Sequence, residues 1–381
     1  MSTENRNGVA DESANDCQNV GSRRILSVDA LRGFDMFWII GGGGLMIGLA
    51  KLFGEPLPAW FSYHSKHPAW EGFSAWDLIM PLFLFVVGVV IPFSFSRRMQ
   101  TGQSRTSLQL KIYRRVLILF VLGMIAQGNL LTYDLAKIHI YCNTLQAIAC
   151  GYLIAGLAVL YLPVIAQAGL AVALMAAYWA LMMFVPVPGH GAGTLDPQAN
   201  LALYIDKIVL GSFQDGTTYT WILSSMTFGA TVLLGVMAGH LLRSNKTDRA
   251  KLLWLVAFGL ACLGLGWAWS FHFPIIKHLW TSSMVLWAAG WSYLLLALFY
   301  LVIDVWGLQR WAFPFVVIGA NAIAVYMATH VFDFKKIGDV FVGGLVPHLG
   351  SYAPGIRALA AFIVVWLILW FLYRKKTFIR V

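Results

Sequence analysis

Leu78–Phe95 reads LIMPLFLFVVGVVIPFSF, a run in which no residue carries a charge. A helix of about 18 to 20 apolar residues covers the roughly 30 Å of hydrocarbon in a bilayer. A helix that is hydrophobic all round is one buried in a large core or a membrane. The run is therefore read as a transmembrane helix. Nine further stretches of similar character lie along the chain, at Phe34–Phe53, Val116–Leu131, Thr144–Tyr161, Gly169–Val185, Trp221–Leu242, Leu252–Phe271, Met284–Ile303, Phe313–Val331 and Ile356–Tyr373. The fold class expected is all-α: a polytopic membrane protein of about ten transmembrane helices in one bundle, forming a single domain over residues 23–381. The loops are too short to hold a second core.

Composition supports this reading. The chain is 59% hydrophobic and 12% charged, where a soluble domain carries about 25% charged residues. Residues 1–22 are polar with no apolar segment, so a disordered tail is expected there rather than a signal peptide or an anchor. An even number of spans puts both termini on one side. Arg23, Arg24, Arg97, Arg98, Arg105, Lys111, Arg114, Arg115, Arg243, Lys246, Arg249, Lys251, Arg310, Arg374, Lys375, Lys376 and Arg380 fall in segments on that side. By the positive-inside rule it is the cytoplasm. The formal charge of +10 is then a topology signal, and no nucleic-acid partner is needed to explain it. Cys17, Cys142, Cys150 and Cys262 are scattered without metal-ligand spacing, so free thiols and no metal are expected.

Ionisable residues inside a span cost about 3 kcal/mol each on insertion scales, so each asks for a partner or a task. They are Asp29, Arg32, Asp35, Asp77, His240 and His330. Asp29 and Arg32 share a helix face, as an ion pair or as ligand contacts. Ser74 and Asp77 match a helix-capping pattern. Upstream, the polar loop HSKHPAWEGFSAWD places His64 and His67 among Trp60, Phe61, Tyr63, Trp70, Phe73 and Trp76. These rings suit an interfacial belt, and equally a stacking surface for a sugar held over a histidine that titrates near neutral pH. His64, His67 and Glu71 fall short of a zinc signature. Two more outward clusters follow: His272, Lys277, His278 and Trp280 with His330, Asp333, Lys335 and Lys336, and then Asn129, Asn143 and Gln146. Together they suggest an external pocket; singly, each reads as a solvated helix end.

The blocks SVDALRGFDMFWIIGGGG, HPAWEGFSAWDLIMPLFLFVVGVVIPFS, TLQAIACGYLIA, LSSMTFGATVLLGVMAG, KHLWTSSMVLWAAGW and IGANAIAVYMATHVF resemble, in order, those of the heparan-alpha-glucosaminide N-acetyltransferase family and its bacterial relatives. The resemblance runs from Arg23 to Lys376. It implies a transmembrane acetyltransferase of a bacterial inner (plasma) membrane. Such an enzyme takes acetyl-CoA on the cytoplasmic side and acetylates a glucosamine-type amine, free or in an oligosaccharide, on the periplasmic side. The family's catalytic histidine falls on His67, in the block His67–Gly72, with Asp77 or Glu71 to orient it. Trp70, Glu71, Asn143, His278, Asn321 and His330 are then candidates for the acceptor. Asp29, Arg32, Arg97, Arg98, Arg114 and Arg115 are candidates for acetyl-CoA. A homodimer is a further expectation. The chain departs from the family at Ile40, where an Asn precedes the glycine run, and at Glu71, where an Asn follows the Trp. Both departures bear on the acceptor. The alternative is an amino-sugar transporter, but the halves of the chain show no inverted repeat and no matched pair of broken helices.

Overall fold

The computed structural model describes residues 25–51, 54 and 56–379; the tail expected over residues 1–22, Cys17 included, lies outside them. Helix α1 (Leu26–Phe37) passes through a π-helical turn (Trp38–Gly42) into α2 (Gly43–Ala50), and a short α3 (Ala59–His64) follows. A 3-10 turn (Ala75–Leu78) opens α4 (Ile79–Gln100), from which the chain returns along α5 (Arg105–Ala126). Next come α6 (Thr144–Tyr161) and α7 (Val164–Phe184), then a two-stranded ribbon of β1 (Leu195–Asp196) and β2 (Ala199–Asn200). The helices α8 (Leu201–Leu210), α9 (Ser225–Arg243), α10 (Asp248–Ser270) and α11 (Ser282–Phe299) follow. The last part holds α12 (Phe313–Ala320), α13 (Ala322–Val331), α14 (Phe334–Val342) and α15 (Ala353–Arg374).

The bundle is sorted by exposure. Most of the apolar length of α4, α6, α9 and α11 is buried, whereas α7, α10 and α15 bury only about a fifth of theirs. The outer helices, with α5, present Leu110, Leu117, Ile165, Val172, Leu260, Trp267 and Phe371 outward. A belt of this kind is what hydrocarbon solvates and water does not. At the centre α4 and α9 touch backbone to backbone. A Cβ at Gly88 would fall on the carbonyl oxygen of Val232, and one at Gly235 on that of Phe85. Gly235 and Gly239 form the small-xxx-small spacing that permits such an approach.

Among the described residues, eight helices are long and apolar enough to cross a membrane, nine if α12 and α13, bent by 65° at Asn321, count as one span. The expected ten differ at Val116–Leu131. The helix there, α5, begins eleven residues earlier at Arg105 and ends at Ala126, and Arg105, Lys111, Arg114 and Arg115 occupy its first half. It leaves the helical path before Asn129, whose left-handed backbone (φ 53°) starts a new turn. Yet α5 still runs from one end of the bundle to the other. At one end Gly123 packs on Gln146; at the other, the Tyr161 hydroxyl donates to Gln109 Oε1 at 2.6 Å.

These directions define two ends. The starts of α4, α6, α9 and α11 and the finishes of α5, α7 and α10 share one of them. The other holds Arg97 and Arg98 in the last turn of α4, and Arg243 in the last turn of α9. Leu26 belongs to that second end, its N–H donating to Asp304 beyond α11. So does Arg374, because α15 lies antiparallel to α1 and α2 through Phe362 on Phe37 and Gly355 on Gly48. At the first end a small separate core of Tyr178, Met182, Val187, Leu201, Ala202, Phe273, Ile276 and Leu279 fastens the connecting segments to the bundle.

Candidate active site

The loop that carries His67 is fixed by what lies on either side of it. Glu71 forms an antiparallel bridge with Ile276, and the Gly72 N–H donates to the Ile275 carbonyl at 2.9 Å. The 271–281 connection is itself anchored by the fully buried Phe273, Ile276 and Leu279. Of the two residues between the last two anchors, Lys277 is thereby held against His67, 210 positions away in sequence.

His67 Nδ1 lies 2.6 Å from Asp77 Oδ1, with Asp77 only 1% exposed and the His67 side chain 40% exposed. Lys277 Nζ stands 3.3 Å from the same oxygen and 3.3 Å from His67 Nδ1. The other carboxylate oxygen, Oδ2, accepts from the Ser74 N–H at 2.9 Å and the Ser74 hydroxyl at 3.1 Å. Asp77 thus has both oxygens doubly occupied, close to the full acceptor capacity of a carboxylate. The cap expected from Ser74 and Asp77 is present, and the same side chain also holds the imidazole. With the ring proton on Nδ1, given to Asp77, Nε2 keeps its lone pair. Among the described residues, Nε2 makes no hydrogen bond. The carboxylate in contact with the imidazole is Asp77; Glu71 is exposed, and among the described residues no hydrogen bond or ion pair joins it to His67. His64 has a structural part, its Nδ1 accepting the Ala75 N–H at 3.1 Å.

Beside this triad lies an aromatic surface. The Trp70 ring stands edge-on to His278 at 5.3 Å, and His278 stacks on Tyr219 at 4.0 Å with planes 20° apart. Trp70 is oriented by its indole N–H, which donates to the Leu195 carbonyl at 3.0 Å. His278 Nδ1 pairs with the Thr218 hydroxyl at 2.6 Å. Burial, together with the Lys277 and His67 charges nearby, pushes the His278 imidazole down to about 4. Burial also holds the Lys277 ammonium below the ordinary lysine range, although Asp77 opposes the shift.

The remaining candidates separate into groups. Asn143 is buried, caps α6 through the Leu145 N–H at 2.7 Å, and donates to the Tyr326 hydroxyl at 3.1 Å. His330 joins the same group, its ring 4.5 Å from that of Tyr326. Thr144, which donates to Met80 Sδ at 3.6 Å, links this group to α4 one turn below Asp77. Asn321 is elsewhere: it fills the break between α12 and α13, donating to the Thr377 carbonyl and accepting the Ile379 N–H. Asp29 and Arg32 lie in the first two turns of α1, and Arg97 and Arg98 at the finish of α4, all toward the end opposite His67. Arg114 and Arg115 sit halfway along α5 rather than at its end. The Arg115 guanidinium lies over the Tyr152 ring at 4.4 Å. Of the other intramembrane groups, His240 pairs with Gln167 at 2.9 Å, and Asp35 is fully buried with neither oxygen hydrogen-bonded among the described residues. No group of His, Cys, Asp and Glu side chains suited to a metal ion occurs among the described residues.

Sequence alone does not mark Lys277, Thr218 or Tyr219 as site residues. Lys277 is visible only as part of an outward cluster, and nothing local marks Thr218 or Tyr219.

No family model matches the chain. The heparan-alpha-glucosaminide N-acetyltransferase of Homo sapiens is 25% identical over an alignment covering 94% of this chain, and that of Mus musculus is 26% identical over 84% of it. The chain spans 60% and 57% of the lengths of these two relatives. The family resembled in the sequence blocks is thus the one these relatives carry in their names.

Proposed function

We propose that this membrane protein transfers an acetyl group from acetyl-CoA to the amine of a glucosamine-type sugar, with His67 as general base. The observation that carries the proposal is the 2.6 Å contact between His67 Nδ1 and the buried Asp77, which leaves Nε2 open on a half-exposed ring. The names of the two relatives support the same reaction class.

The chemistry follows from the tautomer. An amine that attacks a thioester carbonyl must shed a proton, and a neutral imidazole within hydrogen-bond reach accepts it. Asp77 holds the ring so that the lone pair is on Nε2, the part a carboxylate plays behind a catalytic histidine elsewhere. The amine nitrogen bonds to the acetyl carbon, Nε2 takes the proton, the carbon–sulfur bond breaks, and the proton passes to the departing sulfur. The products are an amide and free CoA thiol. Trp70, His278 and Tyr219 offer ring faces for the acceptor, with His278 uncharged. Arg115, at mid-depth in the bundle, is a candidate for the CoA arm, and Arg97 and Arg98 for its phosphates. On this reading the His67 end is periplasmic and both termini are cytoplasmic.

The test is to incubate the purified protein with labelled acetyl-CoA and a panel of amino sugars. N-acetylated product from at least one sugar is expected, with His67→Ala reducing the rate at least a hundredfold in a folded protein. Retention of more than a tenth of the rate, with His64→Ala the more damaging change, overturns the assignment. Movement of unmodified sugar across proteoliposomes without acetylation would favour the transporter instead.

A further inference from the structure

We infer that Lys277 is a positioning residue for the His67–Asp77 pair, its ammonium neutralising the buried carboxylate so that the neighbouring imidazole is free to act as a neutral base. The inference rests on the proposed role of His67 and extends it to a residue for which no role has been assigned.

The geometry leaves little room for another part. Lys277 is 8% exposed, and its Nζ touches Asp77 Oδ1 and His67 Nδ1 at the same 3.3 Å. Both groups are donors when Nδ1 carries the ring proton, so they converge on one acceptor, Asp77 Oδ1. A lysine this buried needs a counter-charge, and Asp77 is the only carboxylate it meets among the described residues. Remove the ammonium, and the imidazole is the one remaining partner of the buried carboxylate able to carry a positive charge, Ser74 supplying only neutral donors. A carboxylate within about 4 to 6 Å with no other counter-charge favours the charged form of a neighbouring imidazole. The pair then keeps its extra proton to higher pH, and the base is blocked where it should work. Whether that proton is written on the imidazole or the carboxylate does not matter, since the two titrate as a unit. The other titratable groups around the pair are His278 on the Lys277 segment, Tyr219 before α9, and His64 and Glu71 on the loop of His67 itself. All of them stay in place when Lys277 is changed.

The experiment reads protonation without needing catalysis. Wild type, Lys277→Met and Lys277→Arg are treated with diethyl pyrocarbonate from pH 5 to 9, and carbethoxylation of the His67 peptide is quantified by mass spectrometry. The expected midpoint for His67 rises by about one pH unit or more in Lys277→Met, and Lys277→Arg, which keeps the charge, stays near wild type. The acid limb of the acetyl-transfer rate shifts by the same amount. Lys277→Gln is read in the same way should the Met variant fail to fold. An unmoved midpoint in a folded neutral variant overturns the inference. Absence of acetyl transfer in wild type, with the midpoint still shifting, would instead overturn the proposed reaction and leave the charge coupling standing.

Discussion

Asp77 shows how one side chain answers two readings of the same motif. From sequence, Ser74 and Asp77 satisfied a capping pattern, and a cap is a sufficient reason for an aspartate at that position. In the structure, Oδ2 serves the cap while Oδ1 serves His67 and Lys277. The nearness of His67, Trp70 and Asp77 is legible because all three fall within one short stretch of sequence, and it is the family block that points to His67 rather than His64. That of Lys277 and Tyr219 is not, because what brings them near is the bridge from Glu71 to Ile276 and the small core beneath it, and no local pattern encodes either. His278 allows a test at this scale. Its imidazole, held down to about 4 in the fold, takes up a proton near 6.5 in the unfolded chain. Between those values the unfolded state binds more protons, so stability falls as the pH drops through that window and is fully present above it. Asp206, raised to about 6 by burial, acts in the opposite sense over an overlapping range. Thermal unfolding in detergent from pH 7 to pH 4 should therefore show a shallower loss for His278→Gln than for wild type, with the Asp206 contribution common to both. Equal slopes would mean that the half-buried imidazole is not linked to folding.

At the scale of helices, hydropathy located nearly every span but misplaced several starts, among them that of the first, Leu26 rather than Phe34, and both ends of one. Helix α5 crosses the bundle, yet its apolar portion covers only the stretch from Val116 to Ala126, because Lys111, Arg114 and Arg115 occupy the turns before it. A window that averages hydropathy registers only the apolar half of such a helix, because it does not see that neighbours absorb the charges, as the Tyr152 ring does for Arg115. The bend at Asn321 is equally silent in sequence, since the break is held by contacts to Thr377 and Ile379 far along the chain. The glycines of α4 and α9 were visible as residues but not as a contact. Their consequence is measurable. Gly235→Val places branched carbons against the Phe85 carbonyl, where neither backbone has room to retreat. Overpacking of this kind costs about 1–3 kcal/mol and should lower the unfolding temperature in detergent. Gly44→Ala, where an added Cβ meets nothing within 4 Å, should leave it unchanged or raise it. Equal effects of the two substitutions would show that α4 and α9 do not depend on their close approach.

For the molecule as a whole, the separation of the two ends is the property on which a two-sided reaction depends. The 22 residues of α4 span about 33 Å at 1.5 Å per residue, close to the thickness of a bilayer core, with Asp77 just before the helix and Arg97 and Arg98 near its finish. On the proposed reaction, acetyl-CoA supplied at the basic end would have to enter the bundle rather than rest at its rim, because its pantetheine arm is shorter than α4. Cysteines introduced singly at Ser65, Ser104 and Leu135, with the four native cysteines replaced, test this arrangement. Ser65 precedes His67, Ser104 lies between α4 and α5, and Leu135 follows α5 on an exposed turn. In intact cells an impermeant thiol reagent should label Ser65→Cys and Leu135→Cys, and should reach Ser104→Cys only after the membrane is opened. Labelling of Ser104→Cys and Leu135→Cys from the same side would mean that α5 does not cross, which would place the termini on opposite faces. Labelling of Ser104→Cys alone in intact cells would invert the molecule and put His67 in the cytoplasm beside soluble acetyl-CoA. The reaction could then proceed without any passage through the bundle, and Arg115 would have no part in guiding the donor.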